Sequence, residues 1–219
     1  MTTQFKTLLP VAALVAVAML AGCVATPSGP ELDKLTAEIV KSSFRDQGQA
    51  GVDRLVQDDA NRECAAASVA GQPIDPKVAQ AIEAANMKTI QPPKDGKYLG
   101  DWKVGEALAQ SGRGLTWTDA KGGEVGGNCY NCHQISKQEI SFGTLGPSLY
   151  QYGKMRGVSN PDAPESRAIV EYTWGKLWNA RAYNACSQMP RVGHKGILNE
   201  QQLKHIMALL LDPKSPINQ

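Results

Sequence analysis

The amino-acid sequence predicts an all-α fold on three observations. Leu203, Ile206, Met207 and Leu210 recur at i, i+3, i+4 and i+7, the apolar stripe of an amphipathic helix. Asp75-Pro76 opens an Ala-rich run to Met87 with high helix propensity. Between such segments the chain is punctuated by glycine and proline, as at Pro92-Pro93-Lys94-Asp95-Gly96, which suits loops joining helices.

The first element is an export signal over residues 1–23. Lys6 is the only charge, Leu8 to Leu20 is an almost unbroken apolar run, and small residues follow. The run is shorter than the roughly 20 apolar residues of a spanning helix. Leu20-Ala21-Gly22-Cys23 matches a bacterial lipobox, in which Cys23 becomes the lipid-modified mature N-terminus. The rival is ordinary cleavage near Ala25, with Cys23 discarded. The position of the match, directly after the apolar run, favours lipidation. Both readings export the chain to the periplasm, and the first adds a membrane anchor to a soluble body.

Residues 24–95 read as a tether followed by a helical extension. Val24 to Pro30 is rich in small residues and proline, and Leu32, Leu35, Ile39 and Phe44 sit at near-helical intervals. Asp75 is placed to cap the next helix, with Pro76 at its first position. The punctuation at 92–96 marks the boundary with a second domain, residues 96–219. Within it Lys103 to Gln110 has Val104, Ala107 and Leu108 on one helical face, ending at Gly112 and Gly114. Asn199 with Gln202 three residues on forms a capping box for the last helix, which Pro213 stops.

Cys129-Tyr130-Asn131-Cys132-His133 is the stretch that carries chemistry. C-x-x-C-H is the attachment signature of c-type haem. Two thiols one turn apart can each form a thioether to a haem vinyl group, and the adjacent imidazole then reaches the iron. A structural zinc site would need a second cluster of Cys or His, and the remaining ones are scattered. A thioredoxin-like pair expects a βαβ surround, whereas Gly126-Gly127-Asn128 leads in and a Gly/Pro-rich stretch follows. One covalently bound haem c is therefore expected. An N-terminal helix, C-x-x-C-H, a loop-rich middle and an amphipathic C-terminal helix describe a class I cytochrome c domain.

Of five cysteines, Cys64 and Cys186 remain once the export signal and the haem pair are set aside. In an oxidising compartment such a pair is most simply a disulfide. The alternative is a free reactive thiol suited to a redox enzyme.

His133 supplies one axial bond to iron, and its second ring nitrogen should donate to a carbonyl that fixes the ring. Gly146-Pro147 lies where class I cytochromes place such a proline carbonyl, although Gly-Pro is also an ordinary turn. Candidates for the sixth ligand are Met155, Met189, Met207, His194 and His205. Met207 belongs to the apolar stripe, His205 reads as a surface residue, and Lys154 and Arg156 suggest that Met155 is exposed. Met189 precedes Pro190, which biases its backbone away from helix and lets a thioether point into a crevice. Met189 is the preferred ligand and His194 the runner-up. Trp174 and Trp178 are i, i+4 neighbours, read first as packing and second as a haem edge.

Net charge is +2, and no basic stripe points to nucleic acid.

Six stretches stand out together: Gly127 to Gln134, Gly143 to Tyr150, Tyr152 to Gly157, Tyr172 to Lys176, Asn184 to Arg191 and Met207 to Pro213. Their combination resembles the SoxX family, the monohaem cytochrome c subunits of the Sox thiosulfate-oxidising system. The resemblance covers roughly residues 96–216. It implies a heterodimer with a SoxA-type haem subunit, expected to bear the catalytic centre of an L-cysteine S-thiosulfotransferase. It also implies a thiosulfate-carrier protein whose cysteine is the acceptor, and a soluble cytochrome c that receives the electrons. The lipobox departs from the usual soluble member of that family. Two other readings stand beside it: a stand-alone electron carrier, and a haem peroxidase. A peroxidase needs an open or labile iron position, which a firmly bound Met189 would deny.

Overall fold

A computed structural model describes residues 29–219. Among the described residues every regular element is helical and no β-strand occurs. The chain divides into two compact units, one ending at Arg45 and the other spanning Asp46–Gln219. The lipobox cysteine, Cys23, lies outside the described residues.

The first unit contributes helix α1 (Gly29–Ser43), with Glu31 in its first turn and Lys41 in its last. These charges complement the helix dipole. Leu32, Leu35 and Ile39 along the helix, and Phe44 just beyond its end, are exposed.

In the second unit, α2 (Asp59–Val69) is opened by Asp58, whose carboxylate accepts the Asn61 N–H. Helix α3 (Pro76–Met87) begins as the sequence predicts, with Asp75 accepting from the N–H groups of Lys77 and Val78. Helix α4 (Trp102–Gln110) is capped by Asp101, which accepts from Lys103. A short α5 (Tyr152–Met155) and then α6 (Arg167–Trp178) follow. The last helix, α7 (Glu200–Leu211), has the capping box expected of Asn199 and Gln202 in full.

Helix α7 is the axis of the core. Leu203, Met207, Leu209 and Leu211 are wholly buried along it, and Ile206 and Leu210 nearly so. Burying a side chain of this size stabilises by about 1.5–3 kcal/mol relative to exposure. Helix α4 crosses α7 at very short range because Gly105 has no side chain. A Cβ there would meet the His205 carbonyl oxygen at 2.1 Å. Lys204 lies on the buried side of α7, and its charge is met by Asp95 at 2.7 Å and Glu200 at 3.2 Å.

Residues 86–91 run along α6 and its exit, held by polar bonds from that side. The Trp174 indole donates to the Gln91 carbonyl (2.7 Å) and the Trp178 indole to that of Thr89 (2.8 Å). Buried Asn179 donates to Asn86 and to the Thr89 hydroxyl. The two indoles stack with centroids 6.0 Å apart, so the Trp pair is a packing element. The predicted disulfide is present: Cys64 of α2 is bonded to Cys186.

Candidate haem-attachment site

The site is built on one tight turn. Asn128 takes a left-handed conformation (φ 51°), which a short polar residue tolerates, and aims the chain into a 3-10 turn at Cys129–Asn131. The N–H groups of Cys132 and His133 both donate to the Cys129 carbonyl, at 3.1 and 2.9 Å. Cys129, Cys132 and His133 are thereby gathered on a single turn, and neither cysteine is in a disulfide. Burial pushes the Cys129 thiol up to about 11. Tyr130, between them, points into the core and donates its hydroxyl to Glu106 of α4 at 2.7 Å. Burial, then Glu106, pushes the Tyr130 phenol up.

A following loop is laced to this turn. Gly143 donates to the Tyr130 carbonyl, Gly146 to that of Cys132 and Leu149 to that of Gln134, at 2.7–2.8 Å. This lacing carries Pro147 to the imidazole, where its carbonyl oxygen lies 2.7 Å from His133 Nδ1. A carbonyl only accepts, so Nδ1 carries a proton, and Nε2 is the ring nitrogen left for another partner. Gly146 makes the approach possible, since a Cβ there would lie 2.2 Å from His133 Cε1.

The same loop turns bulky apolar side chains outward. Ile140 is 96% and Leu145 87% exposed, with Phe142 beside them. Two cysteines and an imidazole oriented through Nδ1 are the donor set that a covalently held haem requires. Among the described residues no group of three or more His, Cys, Asp or Glu could hold a bare metal ion.

The candidate sixth ligands separate clearly. Met207 is wholly buried in the core, and Met155 is 76% exposed. The ring of His205 is engaged elsewhere than the sequence suggests: it is half-buried, and its Nδ1 accepts the Asp101 N–H at 2.8 Å. His194 is exposed. Partial desolvation of its ring, then the positive charges of Arg191 and Lys195, lowers its pKa. Met189 is partly buried and packs against the hydrophobic core, in a segment without regular structure.

Sequence reasoning missed Asp58. Its carboxylate meets Arg181 at 2.9 Å and Arg191 at 2.5 Å, and both guanidiniums are largely buried. Burial alone would raise this carboxyl. The Asn61 amide, Arg191 and Arg181 outweigh that effect and hold it at about 2. No local sequence signal marks it, because its partners lie 123 and 133 residues downstream. A depression of about 490 Å³ lined by Met87, Tyr98, Tyr172, Trp174 and Tyr183 includes none of the C-x-x-C-H residues.

No family model matches the chain. A protein of Aquifex aeolicus (strain VF5), described as an uncharacterized lipoprotein, is 37% identical over 142 residues. The match takes in 64% of this chain and 63% of that relative, so the chain spans less than two thirds of the relative's length.

Proposed function

We propose that this chain is a c-type cytochrome that transfers electrons as the small subunit of a thiosulfate-oxidising complex. The observation that carries the reading is the C-x-x-C-H turn whose His133 is oriented by the Pro147 carbonyl, with Nε2 left free. Cys129 and Cys132 would hold one haem c by thioether bonds, and His133 and Met189 would bind its iron. The crossing of α4 over α7 at Gly105 supports a class I cytochrome c fold. Bound there, the haem supplies one-electron redox chemistry at its iron.

The polypeptide supplies everything else. The Pro147 carbonyl holds the His133 ring in one tautomer and raises its basicity toward iron. A Met189 thioether bound to the iron would favour its reduced form and so raise the potential. Chemistry on thiosulfate is assigned to a SoxA-type haem subunit. The complex would join thiosulfate oxidatively to a cysteine of a carrier protein, and this chain would pass the two released electrons, one at a time, to a soluble cytochrome c.

The Aquifex relative is described as a lipoprotein, which supports lipidation of Cys23. The protein would then work in the periplasm, tethered to a membrane surface.

The test is purification of the native protein from cells grown on thiosulfate, with haem measured after acid–acetone extraction, which removes only non-covalent haem. Covalent haem and a stoichiometric larger haem protein are expected. A chain free of haem would sink the cytochrome reading. A haem-loaded chain that purifies alone would favour a stand-alone carrier.

A further inference from the structure

We propose that Asp58 is a positioning residue for Met189, and that the segment from α2 to α3 is a brace fixing the loop on which Met189 sits. This deepens the haem reading above and rests on it.

The loop cannot fix itself. From the 3-10 turn at Ala180–Ala182 to the Asn199 cap, no helix or strand holds the backbone. Near Met189, local support comes only from short-range bonds, such as the Met189 N–H to the Ser187 hydroxyl at 3.3 Å. An axial ligand on such a segment needs ties from outside it, because a small displacement of the sulfur breaks the bond to iron.

The side-chain and covalent ties come from the brace and bracket Met189, while the His194 N–H is also held by the Trp178 carbonyl of α6 at 2.9 Å. Arg181 before it and Arg191 after it converge on opposite oxygens of the Asp58 carboxylate. Arg181 also donates to Asn61 on the first turn of α2. Cys186 is covalently bonded to Cys64 of the same helix. The Ala185 N–H donates to Glu83 of α3 at 3.1 Å. Asp58 is itself immobilised as the α2 cap.

Two guanidiniums on one carboxylate is an uneven arrangement. Remove its charge and two largely buried cations are left facing each other. Stability alone would be served as well by apolar packing. What the ionic triad adds is direction: Arg191 can satisfy its charge only with the Met189 loop in one place.

The experiment compares the haem-loaded wild type with Asp58→Asn and Asp58→Glu. Asn is a good helix cap and preserves the bond to Asn61, so the fold is retained. The readout is the weak red absorption band of the oxidised protein that marks Met–iron ligation. Asp58→Asn is expected to lose about half of that band or more, with the covalent haem spectrum unchanged, and Asp58→Glu to recover it in part. A band of full intensity in Asp58→Asn would overturn the brace while leaving the haem reading intact. A wild type with covalent haem but no such band would overturn Met189 as the ligand, and the brace with it.

Discussion

The carbonyl oxygen of Pro147 sits 2.7 Å from Nδ1 of His133, on a loop that reaches the imidazole only because Gly146 has no side chain. That pairing gives the C-x-x-C-H turn a fixed imidazole rather than a mobile one. It also makes Gly146 a sensitive position at the site, because any side chain there meets the imidazole directly.

Gly146→Ala should therefore displace the ring. Its Cβ would come within 2.2–2.7 Å of three His133 ring atoms, far inside van der Waals contact. Overpacking of this kind costs about 1–3 kcal/mol. A lower denaturant midpoint is expected, with a reduction potential altered through the weakened Nδ1 bond. Wild-type values for both would show that the loop yields instead of the ring.

The Cys64–Cys186 bond closes a 122-residue separation and ties α2 to the Met189 loop. Its replacement by Cys64→Ala with Cys186→Ala should cost about 2–5 kcal/mol of unfolding free energy. Denaturation curves of the wild type and the double variant check this. Coincident curves would mean that the ion pairs at Asp58 hold the loop without it.

Acid should weaken the same contact in a defined window. The folded Asp58 carboxyl is held at about 2, below its ordinary value of 3.8. Between these values the unfolded chain binds more protons, so stability rises with pH. The contribution is complete above about pH 4 and disappears as pH falls through about 2. Asp58 is 34% exposed, so solvent screening limits it to roughly 1 kcal/mol. Asp58→Asn should remove that slope and lower stability at neutral pH. An unchanged acid limb would assign it to other carboxylates.

How much of this was legible in the sequence depends on how far each signal travels along the chain. Caps are local, and Asp75-Pro76 and Asn199 with Gln202 were read correctly because each acts within one turn. The disulfide followed from elimination among few cysteines. Helix α2 gave no apolar stripe, since its Asp59–Val69 sequence is mostly alanine and polar residues, and tertiary ties at Asp58 and Cys64 hold it. His205 looked like a surface residue because its partner, the Asp101 N–H, lies 104 residues away. Candidate-ligand residue types could be listed from sequence. Which of them the fold had already engaged could not.

The lipobox makes a prediction independent of the haem. A diacylglyceryl group on Cys23 gives stable membrane binding where a single acyl chain is marginal. Mass spectrometry of the mature N-terminus should find that modification, in the membrane fraction. Cys23→Ser, exported by another route, should yield a soluble protein with its haem-attachment turn intact. An unmodified chain beginning after Ala25 would end the anchor reading and leave the electron-transfer reading untouched.

Met189→His tests the sixth ligand directly. Met189 is partly buried against the core, on the one loop that the disulfide and the Asp58 ion pairs clamp from both sides. Imidazole is a harder and more basic ligand than a thioether and favours oxidised iron. The midpoint potential should fall by roughly 0.1 V or more, within the span of about 0.8 V that axial ligation commands. The red band of Met–iron ligation should vanish while the thioether-linked haem remains, since Cys129 and Cys132 are untouched. His194 is the control, because His194→Ala should change neither the band nor the potential if that exposed ring stays clear of the iron. A band that survived Met189→His would remove Met189 from the iron and return the sixth position to the other candidates.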